Sequence, residues 1–267
     1  MTAVLPVPVT TDGHATDAQL GRRRFWPPLI GLGVILGIWE LGVRWSGVAP
    51  YVLPAPSRVV AAGVETAPVL GTHIRTTLTE AGLGLLLGAT ASVVLALIIC
   101  VLPWFNQAVY PLLVFSQTVP TVVLAPLLII WTGFGLLPKV IVVSLTVFFP
   151  MLVAIVSALD TAGRDLVEMV RGIGGSKRDA LLLVRLPAAL PAALGGLRIA
   201  ATYTIGAAVV AEYMAGESGL GVYIQRSRKA FAVDQIFVAV AVIGLLTAVL
   251  FLLVDQLSRR VTPWQSP

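Results

Sequence analysis

Long apolar runs alternate with short polar breaks along the chain, and their spacing predicts six membrane spans at residues 25–45, 77–102, 108–131, 138–159, 191–213 and 236–257. Each run is of the order of the ~20 residues that a helix needs to cross a ~30 Å hydrocarbon core. One stretch departs from the pattern. Between the fourth and fifth spans, Asp165, Glu168, Arg171, Lys177, Arg178, Asp179 and Arg185 crowd into residues 165–187. A charged side chain at the centre of a spanning helix costs roughly 2.5 kcal/mol or more, so this segment lies outside the membrane. Its apolar residues Leu166, Val167, Met169, Val170 and Ile173, and then residues 180–184, keep helical spacing on either side of Gly172, Gly174 and Gly175. The pattern predicts two short amphipathic helices bent at the glycines, tucked against a membrane domain and offering a surface to a partner.

Elsewhere the breaks are more ordinary. Residues 1–24 are polar and proline-containing, which predicts a disordered tail, and Arg22, Arg23 and Arg24 then precede the first span. That span is too long for a signal peptide and carries Trp26, Trp39 and Trp45 where a cleavage site would need small residues. Gly33 and Gly37 form a small-residue face, Glu40 and Arg44 are spaced to pair, and Ser57 is placed to cap a helix starting at Arg58. Glu80, near the outer end of the second span, is either an interfacial carboxylate or a substrate-facing one. Pro111, Pro120 and Pro126 interrupt the third span among the polar residues Ser116, Gln117, Thr118 and Thr121. Such broken helices line transport paths or bond to neighbouring helices; these four residues and Glu212, in the fifth span, are the translocation-path candidates. Arg198 either snorkels to the cytoplasm or pairs in the loop. Residues 215–235, with Gly216, Gly219, Gly221 and the basic Arg226, Arg228 and Lys229, read as an outer loop, and residues 261–267 as a tail.

Composition strengthens this picture. The chain is 57% hydrophobic and 12% charged, with a mean hydropathy of +0.94, against roughly 25% charged residues in soluble domains. Residues 25–260 therefore form a single membrane domain. With both termini inside, ten Lys and Arg lie on the inner side and seven on the outer, the sign the positive-inside rule requires. The net charge of +5 thus calls for membrane orientation and not for nucleic acid. Cys100 is the sole cysteine, and His14 and His73 lack ligand spacing, so neither an intrachain disulfide nor a metal site is expected. The run from Gly172 to Lys177 mimics a phosphate loop but has no strand upstream, and Arg178 follows the lysine. No nucleophile, base and orienting group assemble, so the chain reads as neither an enzyme nor a cofactor protein.

Glu168, Gly174 six positions on and, after nine intervening residues, Val184-x-Leu186-Pro187 resemble the cytoplasmic EAA loop of binding-protein-dependent ABC importer permeases, usually E-A-A-x-x-x-G-x9-I-x-L-P. Met169 and Val170 stand where the family has alanines, and Val184 where it has isoleucine. Leu53-Pro-x-Pro56, Trp131-x-Gly-x-Gly135, Pro187-Ala-Ala-Leu-Pro191 and Ser218-Gly-Leu-Gly221 resemble the taurine, sulfonate and nitrate branch. Within it, Ser116-Gln-Thr-Val-Pro120, Ala125-Pro-Leu-Leu128 and Gly135-Leu-Leu-Pro-Lys139 look most like permeases for riboflavin or for hydroxymethylpyrimidine, a thiamine precursor. The resemblance implies an all-α inner-membrane subunit with both termini cytoplasmic, working in lipid as a homodimer with two ATPase subunits and an extracytoplasmic solute-binding protein. It implies that residues 160–190 are the coupling loop, with Glu168, Arg171, Gly172, Gly174, Lys177, Arg178 and Pro187 at the ATPase contact, and that the partner hydrolyses ATP. A sulfonate, taurine or nitrate importer is the alternative; a membrane anchor recruiting a partner through the same loop, a passive channel, and a loop that binds lipid headgroups are the remaining rivals.

Overall fold

The structure, a computed structural model, describes residues 26–102, 111, 115, 120–161 and 164–265. The regular secondary structure among those residues is all helical, with no strand. In chain order the helices are α1 (Trp26–Ser46), α2 (Pro56–Glu65), α3 (Ala67–Val101), α4 (Thr121–Thr132), α5 (Leu136–Thr161), α6 (Arg164–Gly172), α7 (Lys177–Ala180), α8 (Leu186–Ala215), α9 (Leu220–Lys229) and α10 (Val233–Val261). A π-helical turn, Leu181–Arg185, joins α7 to α8. Four helical stretches among the described residues are long and apolar enough to cross a membrane: Ala67–Val101, Leu136–Thr161, Lys177–Met214 and Val233–Val261. They match four of the six expected spans. The first expected span is the 21-residue α1; of the third, only Pro111, Phe115 and residues 120–131 are described, the last eleven forming most of α4 with Pro126 inside it. The amino-terminal tail expected at residues 1–24 lies outside the described residues.

The centre of the bundle is α5, which packs along both α3 and α8. Lipid tails are as apolar as leucine, so helices in a membrane associate by close approach more than by hydrophobic burial, and α3 carries the residues for it. Its buried positions, among them Thr77, Ala81, Gly84, Gly88, Ser92 and Ala96, form a stripe of small residues at helical spacing. A Cβ at Gly84 would run into Val143, and one at Gly88 into the Ser144 carbonyl and Val147. Ser92 then donates to the Phe148 carbonyl at 2.9 Å, and Ser144 to the Gly84 carbonyl at 3.2 Å. Farther along, Ile99, Leu152, Ile155, Val156, Leu159 and Ala189 close a dry core near the 165–187 segment.

Several expectations change. Ser57 does not cap α2, which begins one residue earlier at Pro56. Instead Glu40 of α1 accepts both the Ser57 amide (2.9 Å) and its hydroxyl (2.7 Å) while pairing with Arg44 at 2.6 Å. Proline at the first position needs no partner for an amide, so the first amide awaiting one belongs to Ser57. The second span starts ten residues sooner than its apolar run, because Pro68 sits in the first turn of α3, where proline is tolerated. The stretch expected to be an outer loop holds the ten-residue helix α9. The second half of the charged segment is not a separate short helix: it is the start of one helix, Lys177–Met214, 38 residues long. Its π turn, closed by the Leu186 amide on the Leu181 carbonyl, precedes Pro187, whose missing amide would otherwise leave a gap in the ladder. No Cβ contact lies near Gly33 or Gly37 among the described residues, so their small face finds no partner there. Arg198 pairs with Asp255 of α10 at 2.9 Å and donates to Ser258 at 3.0 Å.

Candidate functional site

The charged segment forms a hairpin. Arg164–Gly172 makes the short α6, Gly174 turns the chain with φ +92°, and α7 starts the long helix. Positive φ at Gly174 favours glycine, and none of the described residues lies within 4 Å of the Cβ it lacks, so conformation and not space accounts for the residue. Gly175 bonds back to the Val170 carbonyl at 2.9 Å. Ser176 and Asp179 close a capping box: the Asp179 amide donates to the Ser176 hydroxyl, and the Ser176 amide to the Asp179 carboxylate. The turn is therefore stiff, with both flanks pinned by local bonds.

Its outward face is apolar as well as charged. Leu166 and Met169 on this short helix, beside Glu168, and Ile173 just past its end are 54%, 61% and 80% exposed. Exposed large apolar side chains on a charged amphipathic helix mark a contact surface. On the other side of α6, a cavity of about 500 Å³ is bordered by Arg171, Lys177, Arg178 and Arg185 over Cys100 and Val101. None of the four cations is in an ion pair among the described residues. Glu168, Arg171, Gly172, Gly174, Lys177, Arg178 and Pro187 are all exposed. Six of them gather at the hairpin, while Pro187 sits nearly three turns into the long helix.

The translocation-path candidates do not come together in this way. Ser116, Gln117 and Thr118 lie outside the described residues, and only the backbone of Thr121 is described. Glu212 is fully buried at the opposite end of α8 from the hairpin. Its carboxylate accepts the Thr77 hydroxyl at 2.6 Å and the Gly221 amide at 2.7 Å. Thr77 in turn accepts the Leu220 amide at 3.0 Å, and His73 Nδ1 accepts the Gly219 amide at 2.9 Å. Glu80 is neither interfacial nor substrate-facing: it is 1% exposed and paired with Lys139 of α5, itself buried. Lys139, counted among the outer cations, thus belongs to the interior.

Sequence reading missed His73, Thr77 and Lys139 as one group with Glu80 and Glu212. The signal was present. His73, Thr77, Glu80 and Gly84 recur at three- and four-residue steps on the small-residue stripe of α3, and a polar residue on such a stripe needs a partner from the facing helix. Among the described residues no three His, Cys, Asp or Glu side chains gather as a metal site.

An exposed hairpin thus stands at one end of a bundle of long apolar helices, and residues 84–266 match the family described as binding-protein-dependent transport system inner membrane component. The chain belongs to that family, the permeases of ABC importers. It is 35% identical over 250 residues to the riboflavin transport system permease protein RibX of Chloroflexus aurantiacus, covering 91% of this chain and 93% of the relative. It is 32% identical to the formylaminopyrimidine transport permease protein ThiX of Halalkalibacterium halodurans, covering 89% and 95%. The fold matches the inward-facing MetNI methionine ABC transporter with a TM-score of 0.65 at 17% identity, over 74% of this chain and 98% of that one.

Proposed function

We propose that two copies of this chain form the membrane pathway of an ATP-driven importer of a small heterocycle of the riboflavin or pyrimidine type, with two ATPase subunits and an extracytoplasmic binding protein. Full-length likeness to permeases named for riboflavin and formylaminopyrimidine supports the substrate class. Six spans with both termini in the cytoplasm complete the topology, with α1 and the segment ending in α4 as the two spans beyond the four already counted. The hairpin of α6 and α7 is the coupling loop. Glu168 and the apolar residues beside it enter the ATPase cleft, Gly174 sets the turn, and Arg171, Lys177 and Arg178 supply complementary charge. The observation that carries this reading is the stiff, exposed hairpin, apolar and charged at once, on the end of a spanning helix. A short rigid element can pass a displacement into spans that have two packed arrangements.

The test is uptake into proteoliposomes holding this chain, its ATPase and its binding protein. Labelled riboflavin or formylaminopyrimidine should accumulate only with ATP inside the compartment that exposes the ATPase. Accumulation of taurine alone would overturn the substrate class, and uptake without ATP would overturn the importer reading.

A further inference from the structure

The outer end of the bundle holds a cluster that the coupling loop does not explain. Helix α9 has no cap of its own: Gly219 precedes it with φ +118° and offers no side chain. The first amides of a helix need acceptors, and here Gly219, Leu220 and Gly221 find them on other helices, at His73 and Thr77 of α3 and Glu212 of α8. The loop is moulded on Glu212. A Cβ at Gly219 would fall into the Glu212 carboxylate, one at Gly221 against the Val209 carbonyl and the Tyr213 amide, and one at Gly216 against the Glu212 carbonyl. The Ser218-Gly-Leu-Gly221 sequence is thus fixed by contact with α8. Beyond it, α9 carries exposed Arg226, Arg228 and Lys229, with the Arg228 guanidinium over the Tyr213 ring at 5.7 Å.

The helix that carries Glu212 is the one that begins in the hairpin. Lys177–Met214 runs for 38 residues, about 57 Å at a rise of ~1.5 Å per residue, with the hairpin at one end and Glu212 at the other. We infer that Glu212 on this rod, with Thr77 and His73 on the adjoining α3, are positioning residues that fasten the outer helix α9 to both, so that α9 moves with the hairpin and serves as the outer terminus of the coupling path. The inference rests on the importer reading above. Glu80 and Lys139 extend the fastening, because α3, which supplies His73 and Thr77, is tied by that pair to α5. A displacement of the hairpin is then felt at the surface where the binding protein releases its solute.

The experiment uses the full chain with its copurified ATPase in nanodiscs, in a Cys100→Ser background with a bimane label at Leu182→Cys, in the exposed inner end of the rod, or at Lys229→Cys, exposed on α9. Trapping the ATPase with ADP and vanadate should shift the emission at both positions. In Thr77→Val with Glu212→Ala, the Leu182 position should still shift and the Lys229 position should not. If the double variant fails to insert, Thr77→Val alone decides, with a reduced shift expected at Lys229 only. A silent Lys229 label beside a responsive Leu182 label in the background chain, or a full Lys229 response in the variants, overturns the inference. If no ATPase copurifies and neither label responds, the importer reading fails with it.

Discussion

The two ends of the long helix Lys177–Met214 are built on opposite principles. At the hairpin, charges face outward, four cations border an open cavity without ion pairs among the described residues, and order comes from local bonds: a positive-φ glycine, a capping box and a backbone turn. At the other end, charges face inward. Glu212, Glu80, His73 and Lys139 are all buried, and their bonds join residues that are 59 to 146 positions apart, Gly221 excepted. Buried polar groups are costly unless paired, so the outer cluster must be complete for the bundle to hold. Exposed charges contribute little to stability, so the hairpin's side chains are not committed to holding the fold. The fold depends on the charges at one end of this helix and not on those at the other.

That contrast can be broken first at the outer glycines. Gly221→Val should cost about 3 kcal/mol or more, since the new side chain meets the Val209 carbonyl and the Tyr213 amide; the check is the fraction of chain recovered as one species by size-exclusion chromatography. Of at least similar effect, Lys139→Met strands the buried Glu80 carboxylate and should cost roughly 3–5 kcal/mol. The double variant Lys139→Met with Glu80→Met should regain most of the loss in thermal unfolding. Thr77→Val removes one hydroxyl that serves both Glu212 and the Leu220 amide, for a loss of about 1–3 kcal/mol, read as a lower unfolding midpoint in detergent. At the hairpin, Arg178→Ala should stay within about 0.5 kcal/mol of the parent while lowering recovery of the ATPase in pull-down.

Most of the hairpin was legible in the sequence because its constraints are local. Seven charges in an apolar chain, three glycines and a proline announce an extramembrane turn without reference to the rest of the molecule. What could not be read was continuity: the π turn Leu181–Arg185 carries the helix through a charged stretch that looks like a boundary. The outer cluster was harder. Glu80 near an apparent span end suggests an interface, and only the packing of α5 against the Gly84 and Gly88 stripe brings Lys139 beside it. Likewise the 215–235 stretch is glycine-rich and basic, which reads as loop, and α9 forms there because acceptors on α3 and α8 take its first amides. Tertiary partners, invisible to spacing, decided those elements.

The most direct measurement compares Glu168→Ala with Glu212→Ala in the same nanodiscs with the ATPase present, following the unfolding midpoint and binding-protein-stimulated ATP hydrolysis together. The account predicts that Glu168→Ala keeps the parental midpoint and loses stimulation, because its side chain is exposed and serves the partner, whereas Glu212→Ala lowers the midpoint because it strands the Gly221 amide and leaves the Thr77 hydroxyl only the His73 carbonyl at 3.2 Å. A Glu168→Ala chain that remains fully stimulated, or one that unfolds as early as Glu212→Ala, would contradict it.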